Sequence, residues 1–181
     1  MTIALLATVI CVVCAIVAFN RLVRDSQQVK TAWSDIDVQL KRRYDLIPKL
    51  VAAVEQYARY EQSTLQALIE LRSRTEQVSD VGEKGAVESQ IGTGLRSLMA
   101  LVEAYPELKA DQSFLQLQSE LTEVENHIQY ARRFYNGSVR NLNTRIETFP
   151  DLIIARLFNY QPATFFELDD ARAKDSPEIF S

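Results

Sequence analysis

The sequence predicts an all-α protein: an N-terminal transmembrane helix followed by an antiparallel three- to four-helix bundle with long, coiled-coil-like helices. Three observations carry this. The 181 residues hold only five Gly and five Pro, whereas average usage would put the two together at roughly 12% of a chain. Turns and strand crossovers consume those residues, so their scarcity favours long helices. Apolar residues in the body recur at spacings of three and four, the repeat of a helix face. Finally, Ile3 to Phe19 reads IALLATVICVVCAIVAF, seventeen residues without a charge.

The apolar run comes first. At 1.5 Å per residue it spans roughly 25 Å, near the lower limit for crossing a bilayer. The alternative is a cleaved signal peptide cut after Ala18, but no Lys or Arg precedes the run. Cys11 and Cys14 fall inside it without a good lipoprotein box, so they carry no redox information. Arg21, Arg24 and Lys30 follow, then Lys41, Arg42, Arg43 and Lys49. The positive-inside bias therefore expects a short N-terminus outside a cell membrane crossed once, with the bundle in the cytoplasm. Over the whole chain, 47% hydrophobic and 24% charged residues suggest neither a disordered tail nor a polytopic membrane protein.

Within the body, Val29, Trp33, Ile36, Leu40, Tyr44, Ile47, Leu50, Val54, Tyr57, Leu65 and Leu68 form one stripe, broken only at Glu61. It predicts a helix kinked at Pro48 and running to about Val78. Ser79 to Gly85 reads as a loop. Val87, Ile91, Leu95, Leu98, Leu101 or Val102, and Tyr105 form a second stripe, closed by Pro106, with Gly92 and Gly94 expected to allow close packing or fraying. The third is the most regular: Phe114, Leu117, Leu121, Val124, Ile128, Ala131, Tyr135, Val139, Leu142, Ile146 and Phe149, with Asp111 or Ser113 as cap and Pro150 after it. Leu152 to Phe158 is a short half-helix. Residues 161–181 hold five acidic residues against Arg172 and Lys174, an acidic tail expected to be disordered. The domain organisation is thus 1–19 anchor, 20–160 bundle, 161–181 tail.

Catalytic templates find few residues to use. One histidine, His127, cannot supply a zincin or a di-iron bundle, and residue 124, three before it, is Val. There is no phosphate-binding or dinucleotide glycine pattern and no nucleophile elbow. Glu120, Glu123 and Glu125 read as a solvated helix face, and His127 as a bundle-flank residue. Lys41, Arg42 and Arg43 suggest contact with anionic lipid, whereas a net charge of -4 argues against nucleic acid.

Two places stand out from ordinary bundle surface. One is Trp33, Asp35, Asp37, Arg42, Arg43, Tyr44 and Asp45 around Pro48; the other is Glu125, Asn126, Arg132, Tyr135 and Asn136. Pairing of Arg42 or Arg43 with Glu125, and of Asp37 or Asp45 with Arg132, would give an inter-helix network that fixes register. A partner-binding face is the other reading.

The same residues carry a resemblance. AWSDIDVQLKRRYDLIPKLVAAVEQYARYE (Ala32 to Glu61), EAYPELKADQSFLQLQSELTEVENHIQYARRFYN (Glu103 to Asn136) and FPDLIIARLFNYQPATFFEL (Phe149 to Leu168) resemble the conserved blocks of the LemA family, in the same order. Lys49 replaces the usual Asn, and Leu142 stands where a second Tyr-Asn pair usually begins, leaving Asn143. The resemblance implies a single-pass, mainly bacterial membrane protein with a helical bundle and no assigned reaction. It also implies relatives that build magnetosome membranes and genes beside membrane-bound metalloproteases. The expectation is a membrane-anchored, non-enzymatic scaffold or regulator of envelope complexes, with an unidentified protein partner and without cofactor or metal. The alternatives are a lipid-binding or membrane-remodelling protein, or an adaptor of a membrane-bound metalloprotease.

Overall fold

The computed structural model describes residues 1–58, 62–75 and 77–167, and among these it holds six helices and no strand. The all-α expectation is met. The first helix, α1, runs Thr2–Glu55 and continues through Pro48. Its residues 3–17 are exposed apart from the half-buried Ala15, and its buried stripe begins at Ala18 and Leu22. One such helix in the described residues is long and apolar enough to cross a membrane.

The single helix expected as far as Val78 is two. α1 stops at Glu55, Tyr57 and Ala58 turn back by bonding to the Val54 carbonyl, and α2 spans Gln62–Thr75. The break is made at Val54, whose carbonyl accepts from both the Tyr57 and the Ala58 N–H in a tightened last turn. The expected loop from Ser79 to Gly85 is also shorter. α3 (Val81–Val102) starts inside it, because the Asp80 carboxylate accepts from the Glu83 N–H at 2.9 Å and caps the helix. Gly82 and Gly85 are therefore helical. Gly94 brings α3 close to α2, since a Cβ there would lie 3.0 Å from Leu68 Cδ1.

Pro106 opens a one-turn helix, α4 (Pro106–Ala110), where its missing N–H costs nothing. Asp111 then caps α5 (Gln112–Glu147) by accepting from the Phe114 N–H at 2.9 Å, a role that Ser113 does not take. The third stripe is buried from Phe114 to Ile146 except at the half-buried Leu117 and Ala131. Phe149 departs from expectation: α5 has ended at Glu147, and Phe149 is 74% exposed in the turn before α6 (Asp151–Leu157).

Two compact units result. Met1–Val38 and Ile128–Phe165 form the first, with a core that includes Leu22, Ala32, Ile36, Tyr135, Val139 and Ala155. Gln39–His127, with Phe166 and Glu167, forms the second around Leu40, Ile47, Leu50, Leu68, Ile91, Leu98 and Phe114. Of the expected acidic tail, residues 161–167 belong to no helix, and residues 168–181 lie outside the described residues.

Candidate functional site

In the second unit the charge cluster is built on helix periodicity. Arg43 stands three residues after Leu40 and four before Ile47, so the buried stripe of α1 carries it inward to 2% exposure. Glu88 is placed by the same rule on α3, three before Ile91, and is also fully buried. The Arg43 guanidinium donates through Nη2 to Glu88 and through Nη1 to Glu125 Oε1 on α5, at 2.8 Å for the latter. Tyr44 donates its hydroxyl to the second Glu88 oxygen. Two charges in a dry interior are tolerated when each is paired and hydrogen-bonded. Arg43 Nε has no hydrogen-bond partner among the described residues, so the pairing is incomplete on that edge.

Pro48 belongs to the same arrangement. A helical proline lacks the N–H that the carbonyl four residues earlier would accept. That carbonyl is Tyr44 O, and Arg72 from α2 donates its Nε–H to it at 3.1 Å. The gap left by one residue is thus filled by a side chain from another helix.

In the first unit, the Trp33 and Tyr135 rings pack with centroids 5.4 Å apart, tilted by 56°. The Tyr135 hydroxyl donates to the Thr164 carbonyl at 2.8 Å. Burial of the ring pushes the phenol above its ordinary value. About two turns further along α5, the Asn143 side chain donates to Ala163 O at 3.0 Å and accepts from Ala163 N at 2.8 Å. These bonds tie the segment after α6 to α5. In the second unit, Phe166 is fully buried and Gly85 leaves the space that the Glu167 carbonyl occupies.

The other residues singled out from sequence are spread more widely. Asp35, Asp45, Pro48 and Asn126 are exposed, while Asp37 and Asn136 are half-buried. Arg42 is exposed and donates to Gln39 Oε1 on its own helix at 3.4 Å. Of the two arginines offered for Glu125, the structure takes Arg43. Arg132 donates to Gln129 on its own helix at 2.8 Å. His127 is half exposed beside Glu123, and no group of metal-ligating side chains occurs among the described residues. Burial of Arg43 takes it out of the basic group expected to meet lipid, since a guanidinium enclosed by Glu88 and Glu125 cannot reach a headgroup, while Lys41 and Arg42 are exposed. Glu88 and Arg72 were missed in the sequence. The signal for Glu88 was a carboxylate on an apolar stripe, and for Arg72 the orphan carbonyl that any helical proline creates.

Together these features define an all-helical protein whose first helix is long and apolar enough to cross a membrane, and whose buried charges join helices to one another. The chain belongs to the LemA family, whose sequence pattern matches residues 32–180. It is similar to Protein LemA of Metamycoplasma hominis, 29% identical over 158 residues, covering 86% of this chain and 72% of that protein. Magnetosome protein MamQ 2 of Paramagnetospirillum magneticum is 25% identical over 205 residues, covering 99% of this chain and 75% of its own length. Magnetosome protein MamQ of Magnetospirillum gryphiswaldense is 21% identical over the same span.

Proposed function

We propose that the chain is a membrane-anchored, non-enzymatic scaffold that docks an envelope protein on the outer face of α1. The observation that carries this is the division of the Trp33 to Lys49 segment into two faces. Arg43, Tyr44 and Ile47 turn inward, and Arg43 and Tyr44 are taken up in holding helices together. Asp35, Val38, Arg42, Asp45 and Lys49 turn outward at helical spacing, with Val38 54% exposed. Their charges alternate in sign around an apolar residue. An anionic lipid surface or a nucleic acid selects one sign, whereas a protein partner matches a mixed pattern.

The run from Ile3 to Phe19 serves as a single-pass anchor, and Arg21, Arg24 and Lys30 beside it favour a cytoplasmic bundle. Cysteine introduced as Ser79→Cys then reacts with an impermeant thiol reagent only after the cytoplasmic side is opened; labelling of intact cells from outside reverses the orientation. For the docking face, a photoreactive residue at Val38 in the full chain, irradiated in native membranes, yields a discrete adduct with another protein. The same residue at exposed Arg140 on α5 does not. Equal or absent adducts at both positions overturn the proposal.

A further inference from the structure

We infer that the C-terminal end of α6, through Leu157 and Phe158, enters the lipid interface beside the anchor and forms a second point of membrane contact. The inference rests on the reading of residues 3–19 as a membrane span. Contacts at its two ends, all within the first unit, set the depth of α6. At one end, Arg145 donates to Asp25 at 2.5 Å and pairs with Asp151 at 3.5 Å, which ties the first residue of α6 to the level of Asp25. At the other, the Phe158 ring lies 4.7 Å from Phe19, the last residue of the uncharged run. Phe19 and Asp25 are about 9 Å apart along α1, and a seven-residue helix is about 10 Å long. α6 therefore runs back along α1 toward the membrane and ends at its boundary.

Apart from Arg156, the side chains that α6 and Phe158 expose are apolar. Ile153 is 57% exposed, Leu157 73% and Phe158 55%, while Asp151 and Ala155 are buried. Positions 153 and 157 are one turn apart on one face. In water such a patch is a cost; placed at the headgroup and acyl boundary it is covered by lipid. Arg21 and Arg24, just past the uncharged run, and Arg156, next to Leu157, are exposed and suit the lipid phosphates. Lipid is favoured over a second protein chain because the patch is continuous with the exposed surface of the anchor through Phe19 and Phe158.

The test places a nitroxide at single sites of the full chain in vesicles of phosphatidylethanolamine and phosphatidylglycerol, with Cys11→Ser and Cys14→Ser. Collision with oxygen, which concentrates in the bilayer, is compared with collision with a water-soluble nickel chelate. Leu157→Cys and, independently, Ile153→Cys are labelled. Ile16→Cys reports the anchor, and Leu115→Cys, exposed on α5, reports a position in water. The expected result is an oxygen-dominated ratio at positions 16 and 157, an intermediate one at 153, and a nickel-dominated one at 115. An oxygen-dominated ratio at 16 with a nickel-dominated ratio at 157 overturns the inference and leaves the anchor intact. A nickel-dominated ratio at 16 removes the anchor itself. Low collision with both reagents at 157 means that protein covers it, and this also overturns the inference.

Discussion

Arg43 shows how a charged residue becomes a structural one. Its position on the stripe forces burial, and the cost is offset by Glu88, Glu125 and the Tyr44 hydroxyl sharing one small space. Glu88→Ala in the full chain should lower unfolding stability by about 3–5 kcal/mol, because a buried guanidinium loses its main counter-charge. The pair Arg43→Met with Glu88→Met should recover most of that loss in a denaturant titration, since the unpartnered Arg43 Nε disappears with the charge. A double variant as unstable as Glu88→Ala would contradict this. Tyr135 supplies a pH dependence. Its phenol is raised above the ordinary value of 10 by burial, so the unfolded chain releases the proton first as pH rises. Stability present below about pH 10 is then lost above it. Comparing alkaline unfolding of the wild type with Tyr135→Phe should show a shallower fall in the variant.

Elements inherit these residue choices. The outlines of α1, α3, α5 and α6 were legible as stripes, because burial of one face repeats along a helix. Boundaries were less so: α1 ends at Glu55 in a tightened turn that the stripe does not announce, and α3 starts early because Asp80 outcompetes the glycines that follow it as a local signal. The pairing of Arg43 with Glu125 was readable as one of two options, while Glu88 and Arg72 were hidden because each depends on which helix becomes the neighbour. Pro48 makes the point testable. Arg72→Met should destabilise the chain by about 1–2 kcal/mol by orphaning the Tyr44 carbonyl. In a Pro48→Ala background, where residue 48 regains an N–H for that carbonyl, the same substitution should cost distinctly less. A thermal-melt cycle reads this coupling, and additivity would rule out the compensation.

At the scale of the whole molecule, the chain combines an N-terminal helix able to cross a membrane with helices locked by internal charges, as a member of the LemA family. Residues locked by mutual contact are poor candidates for chemistry that needs them free, and the exposed remainder of the same segment offers a face with charges of both signs. On the proposed reading, one face of α1 serves folding and the other docking. The most direct test is co-purification from intact membranes of the partner that crosslinks at Val38, comparing the wild type with Arg42→Glu. The account predicts loss of that partner with an unchanged melting transition. Retention of the partner, or loss only together with a lowered melting transition, would contradict it.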